Sequence, residues 1–256
     1  MTGTGFKDHF SGVASDYASY RPNEAPGLFE WVASLPERRD IVWDCGTGSG
    51  QAAIGLADYF ARVIATDASP QQLAHVTPHS RVEYRVAAAE RSGLADASVD
   101  LVTAAQAFHW FDFDGFFAEA RRVVAPGGAV VVWTYNLARV TPEIDRILDH
   151  LSKEVVGAYW PPERRWVDEE YQTIPFPFPE VETPQLAYVA DWDLERLLSY
   201  IRTWSAWQRY LKATGEDPID QVRDNFAAAW GEPAATRRLR WPVFLRASRR
   251  LYSSST

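Results

Sequence analysis

The sequence predicts an α/β fold with a doubly wound, mostly parallel sheet, and three observations support that prediction. An apolar run at residues 41–43 leads into three glycines spaced by one residue, and a helical segment at residues 52–59 follows at once. Four further runs rich in Val, Ile and Ala are separated by segments long enough for helices. With 256 residues, 46% of them hydrophobic, the chain can bury the core that such a sheet requires.

The glycine-rich turn after the first strand is predicted to hold a ligand. Asp44 is followed by glycines at positions 46, 48 and 50. Residues without a Cβ let the chain turn sharply and let a ligand lie against the backbone. Residues 48–53 can be fitted to the Gly-x-Gly-x-x-Gly/Ala pattern of dinucleotide-binding loops. The pattern Asp-x-Gly-x-Gly-x-Gly, with the acid two residues before the first glycine, fits residues 44–50 better and favours another kind of nucleoside-binding loop.

The second strand, residues 62–66, ends in Asp67. An acid at the tip of the second strand of a βαβ unit is placed to accept both ribose hydroxyls of an adenosine. The alternative role, a helix cap, is already supplied by Ser69, which is followed by a first-turn proline. We therefore expect Asp67 to bind ribose.

Three more strands are expected at residues 82–86, 99–105 and 129–134, and a Pro-Gly-Gly turn at 126–128 precedes the last of them. In this order, the motifs resemble those of the class I S-adenosyl-L-methionine (SAM)-dependent methyltransferases, and the resemblance covers nearly the whole chain from Phe10 onward. It implies a Rossmann-like methyltransferase fold with a seven-stranded sheet, whose last two strands form a hairpin with the final strand antiparallel. It also implies SAM as the cofactor and S-adenosyl-L-homocysteine as its product.

The resemblance also implies a set of cofactor-binding residues. In the family, the loop after the third strand borders the adenine, often through an Asp or Ser side chain. Ala88 occupies that place here, so the contact is expected from the backbone of Ala89 and from Glu90. The full expected set is Asp44, Gly46, Gly48, Gly50, Asp67, Ala68, Ala89, Glu90, Gln106, Tyr17 and Arg21.

Residues 1–36 are expected to form a helical lid. Apolar residues repeat at helical spacing from Phe10 to Tyr17, and Pro22 should end the helix near Arg21. In the small-molecule methyltransferases that this chain resembles, such a segment folds over the cofactor, so Tyr17 and Arg21 are expected to contact the cofactor and Tyr20 the substrate. Plain helix packing is the alternative for the two tyrosines.

The loop after the fourth strand carries Gln106-Ala107-Phe108-His109-Trp110. Ligands of parallel α/β sheets lie beyond the carboxyl ends of the strands, so this loop should face the reacting centre. Similar chains carry a Gln-Ala-x-His-Trp segment here, and the best match is to the branch that includes trans-aconitate methyltransferase. His109 is the expected catalytic residue, with a pocket wall as the alternative, and Trp110 is expected to contact the substrate.

Residues 137–256 are expected to form cap helices plus the last two strands, beyond a SAM-binding core at 37–136. The pattern predicts helices at residues 142–156, 194–210 and 219–230, with strands near 185–189 and 238–245. The proline-rich stretch at 159–179 is expected to contain neither regular helix nor central strand. Trp160 and Trp204 are the expected substrate contacts, and Trp204 and Trp207 should share one face of a single helix.

Methyl transfer from a sulfonium is an in-line displacement, so alignment and exclusion of water are the protein's main contributions. A carboxylate acceptor is already ionised at neutral pH but needs a counter-charge, for which Arg21 is the first choice, with Arg139, Arg164 and Arg165 as the alternatives. A hydroxyl or amine acceptor would instead need a base, and His109, titrating near pH 6.5, is the candidate.

Composition narrows the function classes. The net charge of −8 disfavours nucleic-acid binding, no run approaches the length of a membrane span, and the single cysteine, Cys45, fits a reducing, cytoplasmic compartment. We expect a SAM-dependent methyltransferase, monomeric or homodimeric and without a metal, that O-methylates a small carboxylic acid. The alternatives are O- or N-methylation of an aromatic or natural-product scaffold, and a SAM-binding regulatory protein without turnover.

Overall fold

The computed structural model describes Pro22 and residues 25–249. Tyr17, Tyr20 and Arg21, and with them the expected lid contacts, lie outside the described residues. The domain boundaries expected at residues 36 and 136 stay predictions.

Seven strands form one sheet in the order β3-β2-β1-β4-β5-β7-β6. The first five strands are parallel, whereas β7 runs antiparallel to both β5 and β6. The seven-stranded, mostly parallel sheet with a closing antiparallel hairpin is therefore confirmed. The strands are β1 Ile41–Cys45, β2 Arg62–Asp67, β3 Val82–Val86, β4 Val99–Ala105, β5 Val124–Tyr135, β6 Leu186–Trp192 and β7 Arg237–Arg249.

Helices flank the sheet, and those that follow β5 lie in the part of the chain where a cap was predicted; their role as a cap stays a prediction. The α-helices are α1 Leu28–Ala33, α2 Gln51–Ala57, α3 Pro70–Leu73, α4 Phe113–Val123, α5 Pro142–His150, α6 Arg164–Asp168, α7 Leu194–Arg202, α8 Ser205–Thr214 and α9 Arg223–Trp230. A π-helical turn at Leu151–Val155 continues α5, and 3₁₀ turns lie at Phe108–Trp110, Gly157–Tyr159 and Pro218–Gln221.

The core lies on both faces of the sheet. Alternate residues of each central strand enter opposite layers: Val42 packs in one hydrophobic cluster and its neighbour Trp43 in the other. In β5 the same alternation separates Val131 from Val132. Burial on both faces is the reason that these strands are apolar throughout rather than alternating with polar residues.

Three local expectations were wrong. Residues 194–210 form two helices, not one, because Thr203 closes α7 by donating its hydroxyl to the carbonyl of Tyr200 (2.6 Å) and Trp204 is extended. Trp204 and Trp207 therefore do not share a helix face. The proline-rich stretch does contain a helix, α6, which starts just after two prolines, a position that helices tolerate.

The Pro-Gly-Gly sequence at 126–128 was expected to precede the fifth strand, but it lies inside β5 as a bulge. Gly127 has a φ of 77°, and the register between β4 and β5 shifts beside it. A Cβ on Gly128 would lie 2.7 Å from the carbonyl oxygen of Asp100, so close approach of the β4 backbone requires glycine there.

Candidate active site

The glycine loop is built as its spacing predicts. Gly46, Gly48 and Gly50 have φ values of 68°, 57° and 87°, which side-chain-bearing residues rarely adopt. A Cβ on Gly46 would lie 2.6 Å from the Cβ of Ala107, so the loop packs tightly against the segment after β4. By contrast, the nearest atom to a Cβ on Gly48 would be 3.9 Å away, which leaves this side of the loop open to a ligand.

Asp44, on β1, connects the glycine loop to β4 through hydrogen bonds. It is fully buried, and its two carboxylate oxygens accept hydrogen bonds from the hydroxyls of Thr47 (2.6 Å) and Thr103 (2.9 Å). Burial raises the pKa of the carboxyl from 3.8 to about 6. The contacts give Asp44 a positioning role between β1, the loop and β4, while its direct contact with a cofactor stays a prediction.

Asp67 lies at the tip of β2 and faces the loop. One oxygen accepts from the backbone N–H of Gly48 (2.9 Å) and the other from that of Ser69 (2.8 Å). Ser69 caps α3 through the N–H of Gln72, as expected, so the helix does not need Asp67. A half-buried carboxylate beside an open glycine backbone suits the ribose of a nucleoside.

An apolar wall stands next to that carboxylate. Val86, the register partner of Asp67 on β3, is 58% exposed, which is unusual for a large apolar side chain. Ala68 is half-buried and Ala89 is buried, whereas Glu90 accepts a hydrogen bond from the N–H of Asp112 (3.1 Å) at the start of α4. Sequence reasoning missed Val86, because the residue looks like any other strand position. The residues present fit an adenosine group.

A cavity of about 60 Å³ opens beyond the carboxyl ends of β4 and β5. It lies next to the point where the strand order reverses between β1 and β4, the usual ligand position in such sheets. The cavity brings together six candidate residues from the sequence analysis, although they are spread over almost 100 positions: Gln106, His109, Trp110, Trp160, Arg164 and Trp204. Its lining is Gln106, His109, Trp110, Tyr135, Asn136, Leu137, Trp160, Pro161, Arg164, Val167, Tyr200, Trp204 and Ser205.

His109 lines this cavity but does not titrate near neutrality. Only 8% of the residue is exposed, and Nδ1 lies 2.7 Å from the hydroxyl oxygen of Tyr171. Burial and, to a smaller degree, the positive charge of Arg164 lower the imidazole pKa from 6.5 to about 3. The expectation of a base titrating near pH 6.5 was therefore wrong, because it ignored burial.

Among the four arginines proposed for a carboxylate, Arg164 lines the cavity. Its guanidinium stacks over the ring of Trp160 at 4.3 Å, donates from Nε to Asp168 (2.9 Å) and from Nη2 to Asn136. Arg139 pairs with Asp149 instead, and Arg165 is exposed on Trp166. Nη1 of Arg164 has no partner within residues 25–249, so this atom is available for a ligand.

The segment after α6 places Tyr171 against His109, although Tyr171 is not among the residues that line the cavity. Tyr171 is fully buried with a φ of 61°, a strained conformation for an aromatic residue. Its carbonyl oxygen accepts from Nη1 of the buried Arg246 (3.0 Å), whose other nitrogens pair with Glu180. Tyr171 was not predicted from the sequence, because no local pattern indicates that it contacts His109, which lies 62 residues earlier in the chain.

Across the described ranges, no three His, Cys, Asp or Glu side chains gather as metal ligands. In the same part of the chain, every helix is too short or too polar to cross a membrane.

The buried neutral state of His109 makes folding stability depend on pH. The unfolded chain takes up a proton near pH 6.5, whereas the folded imidazole stays neutral down to about pH 3. Protonation therefore favours the unfolded state. As the pH falls from 6 to 4, His109 should lower the free energy of unfolding by about 1.4 kcal/mol per pH unit. Urea unfolding at several pH values measures this dependence. In His109→Gln the free energy of unfolding should depend less on pH between 6 and 4, whereas in the control His150→Gln, at an exposed histidine, it should depend on pH as in the wild type. The same pH dependence in the wild type and in both variants would show that His109 is not held neutral in the folded protein.

Comparisons with known proteins agree with this geometry. The family profile "Methyltransferase domain" matches residues 43–132. A Dictyostelium discoideum protein with the name "Putative methyltransferase" is 32% identical over 95% of both chains. A solved structure of a "Putative Type II Methyltransferase" from Anaeromyxobacter dehalogenans is 45% identical, covers 90% of this chain and 98% of its own, and superposes with a TM-score of 0.85.

A third relative, the malonyl-[acyl-carrier protein] O-methyltransferase of a Marinomonas species, is 35% identical over 59% of this chain and 58% of its own. The glycine loop, the ribose-type acid and the sheet order thus occur together in a chain whose full-length relatives are named as methyltransferases. This protein belongs to the SAM-dependent methyltransferase family.

Proposed function

We propose that this methyltransferase O-methylates a carboxylate of a small organic acid, in the manner of the trans-aconitate branch that its motifs resemble. The observation that supports the proposal is the position of Arg164, whose guanidinium lines an otherwise largely aromatic cavity. Arginine binds carboxylates through its planar fork, and Trp160 and Asp168 hold this fork in one orientation.

The small-acid proposal also agrees with one relative. The Marinomonas protein is named for O-methylation of a malonyl group, and a malonyl group carries a free carboxylate. That protein matches only part of this chain, so it supports the oxygen chemistry rather than the identity of the acceptor.

The proposed chemistry asks little of the side chains. SAM, when bound, supplies a methyl group activated by its sulfonium. The glycine loop, Asp67 and the wall formed by Val86 and Ala89 would hold the adenosine portion, and Tyr17 and Arg21 are proposed to close over it. Gln106 and His109 border the acceptor cavity, while Arg164 aligns the carboxylate. A carboxylate is ionised at neutral pH, so the neutral His109 need not remove a proton.

Methylation of an aromatic hydroxyl or amine is the second candidate, and the cavity lining favours it. Trp110, Trp160, Trp204 and Tyr200 present flat apolar surfaces on which an aromatic ring could stack. This candidate leaves Arg164 without an ionic partner from the substrate.

A product assay separates the two candidates. The purified protein is incubated with methyl-tritiated SAM and a panel of small organic acids, phenols and amines, and the products are treated with mild base. A carboxyl methyl ester releases volatile methanol under these conditions, whereas methyl ethers and N-methyl groups do not. Base-labile label from an acid is expected; label found solely in base-stable products would overturn the carboxylate proposal and support the second candidate.

The ribose role of Asp67 is tested by calorimetry with S-adenosylhomocysteine. Asp67→Asn keeps the shape of the side chain but weakens it as an acceptor, so affinity should fall by roughly 10- to 100-fold, the range for hydrogen bonds to a charged group. Asp58→Asn makes the same change of charge at the exposed end of α2 and should bind normally. Equal affinities of the two variants would remove Asp67 from the cofactor site.

A further inference from the structure

Asn136, the residue directly after β5, joins Arg164 and Asp168 in a closed ring of hydrogen bonds. Its Oδ1 accepts from Nη2 of Arg164, and its Nδ2 donates to Oδ1 of Asp168 (3.1 Å). The same oxygen of Asp168 accepts from Nε of Arg164 (2.9 Å). Since Arg164 and Asp168 lie four residues apart on α6, they share one face of that helix, and the ring connects this face to the end of a central strand.

The two ends of the Asn136 amide cannot be exchanged within this ring. A guanidinium has donors only, so the atom that faces Nη2 of Arg164 must be the amide oxygen. An ionised carboxylate has acceptors only, so the atom that faces Asp168 must be the amide nitrogen. The amide therefore matches both of its charged neighbours in a single orientation.

The ring occupies one edge of the Arg164 fork. In a planar guanidinium, Nε–H and one proton of Nη2 form a parallel pair along the side, and the other proton of Nη2 and one of Nη1 form a second pair at the end. Asp168 and Asn136 take the side pair. The end pair has no partner within residues 25–249, so it is the edge that can bind both oxygens of a carboxylate.

The surroundings keep the guanidinium from turning to offer another edge. Its central carbon lies 4.3 Å from the ring centre of Trp160, and 15% of the Arg164 side chain is exposed. Trp160 is itself held, since its Nε1 donates to the carbonyl of Ser152 (3.0 Å) and its ring packs on Trp204 at 5.7 Å. Packing and hydrogen bonds of this kind fix the orientation of a binding group.

The residue type at position 136 also sets the charge of the ring. The charges of Arg164 and Asp168 cancel and the amide adds none, so the ring is neutral and Arg164 turns its donors to the cavity, which Asp168 does not line. A carboxylate at position 136 could accept from Nη2, but it would face Asp168 without a proton to share. The ring would then carry a net negative charge and repel an incoming anion.

We propose that Asn136 is a positioning residue that determines specificity for an anionic acceptor. It fills the side of the Arg164 fork, so that the acceptor carboxylate binds through two hydrogen bonds at the end formed by Nη1 and Nη2. Two bonds in one plane fix the orientation of the carboxylate as well as its position. The part that concerns the acceptor rests on the proposed function, whereas the fixed orientation of the guanidinium does not.

Nitrogen-15 NMR of the arginine side chains tests this orientation without a methyl acceptor. A guanidinium that is held on one side rotates slowly about its C–N bonds and gives separate Nη signals, and the signals of Arg164 are those missing from Arg164→Met. We expect separate Nη signals in the wild type and averaged ones in Asn136→Leu, which keeps the size of the side chain but loses the amide. Averaged signals in the wild type, or separate signals in Asn136→Leu, would overturn the positioning role.

Acetate is the probe for the open end of the fork, and acetamide is its uncharged match. In protein saturated with S-adenosylhomocysteine, acetate should shift the Nη1 signal of Arg164 but not the Nε signal, and acetamide should shift neither. Asn136→Asp should lose the response to acetate, whereas Asn225→Asp, which adds the same charge at an exposed position of α9, should keep it. A shift at Nε, no shift in the wild type, or a wild-type response in Asn136→Asp would overturn the proposal.

Kinetics with the acid that the product assay identifies test the role of charge. Asn136→Asp should raise KM by about 10-fold or more, with a smaller change in kcat, because the added charge opposes binding of the anion. Combining it with Asp168→Asn restores the neutral ring and supplies an amide nitrogen that can donate to the carboxylate at position 136, so KM should fall back toward the wild-type value.

The outcomes separate this inference from the proposed function. A KM that Asn136→Asp leaves unchanged, or that the second substitution does not lower, would overturn the role of Asn136. The carboxylate proposal would still stand if Arg164→Met raised KM. Failure to methylate any acid would instead defeat the proposed function, and the NMR spectra would still decide whether Asn136 fixes the orientation of Arg164.

Discussion

Gly46→Ala is expected to weaken S-adenosylhomocysteine binding by about 100-fold or more, the cost of displacing a binding element by about 1 Å. The new Cβ would lie 2.6 Å from the Cβ of Ala107 and 2.9 Å from Cζ of Phe111, on a backbone with a φ of 68°. Relief of these contacts must shift the loop that carries the N–H of Gly48, and with it the contact to Asp67. Calorimetric titration measures the effect.

Gly215→Ala supplies the control for that experiment. Gly215 ends α8 with a φ of 77°, and a Cβ there would meet no atom within 4 Å beyond its chain neighbours, so the variant carries the backbone strain without the clash. It should lower the melting temperature slightly and leave affinity unchanged. A folded Gly46→Ala protein with wild-type affinity would show that the loop does not hold the cofactor.

Arg164→Met is expected to raise the KM for a carboxylic-acid acceptor by about 100-fold, since a charge-assisted hydrogen bond contributes roughly 1.5–3 kcal/mol. Methionine keeps most of the length that packs on Trp160 but cannot pair with a carboxylate. Affinity for S-adenosylhomocysteine should stay within about twofold, because Arg164 lines the acceptor cavity and not the glycine loop.

Arg165→Met is the matched control, one residue along the same helix. Arg165 is exposed and stacks on Trp166, outside the cavity lining. Its removal changes the net charge equally and should leave KM unaltered. If both variants raise KM to the same degree, the effect comes from general charge, and Arg164 has no special role in recognition.

The sheet and the glycine loop could be predicted from the sequence because their signals are local. A strand buried on both faces must be apolar throughout, and a turn with positive φ at Gly46, Gly48 and Gly50 requires glycine. That Asp67 would face the glycine loop could be predicted because it is the last residue of the second strand, next to the first. The break at Thr203 escaped prediction, since both flanking segments have helical periodicity and Trp204 is held by its ring contact with Trp160 at 5.7 Å.

The acceptor cavity was only partly predictable, because its properties come from residues far apart in the chain. The sequence offered four arginines, and only tertiary structure places Arg164 over Trp160 and near His109. The pKa of His109 depends on burial by segments more than 50 residues away, among them the one that carries Tyr171. Periodicity and spacing contain no information on such contacts.

We propose an ionised carboxylate as an acceptor that needs no base, and the single-turnover rate of methyl transfer between pH 7 and 9 tests this most directly. This range lies above the pKa of Asp44, about 6, and that of His109, about 3. With the acid that the product assay identifies, the rate should be constant within about twofold, because the carboxylate stays fully ionised. A rate that rises about tenfold per pH unit would show that a proton must leave the acceptor before transfer, and would contradict the account.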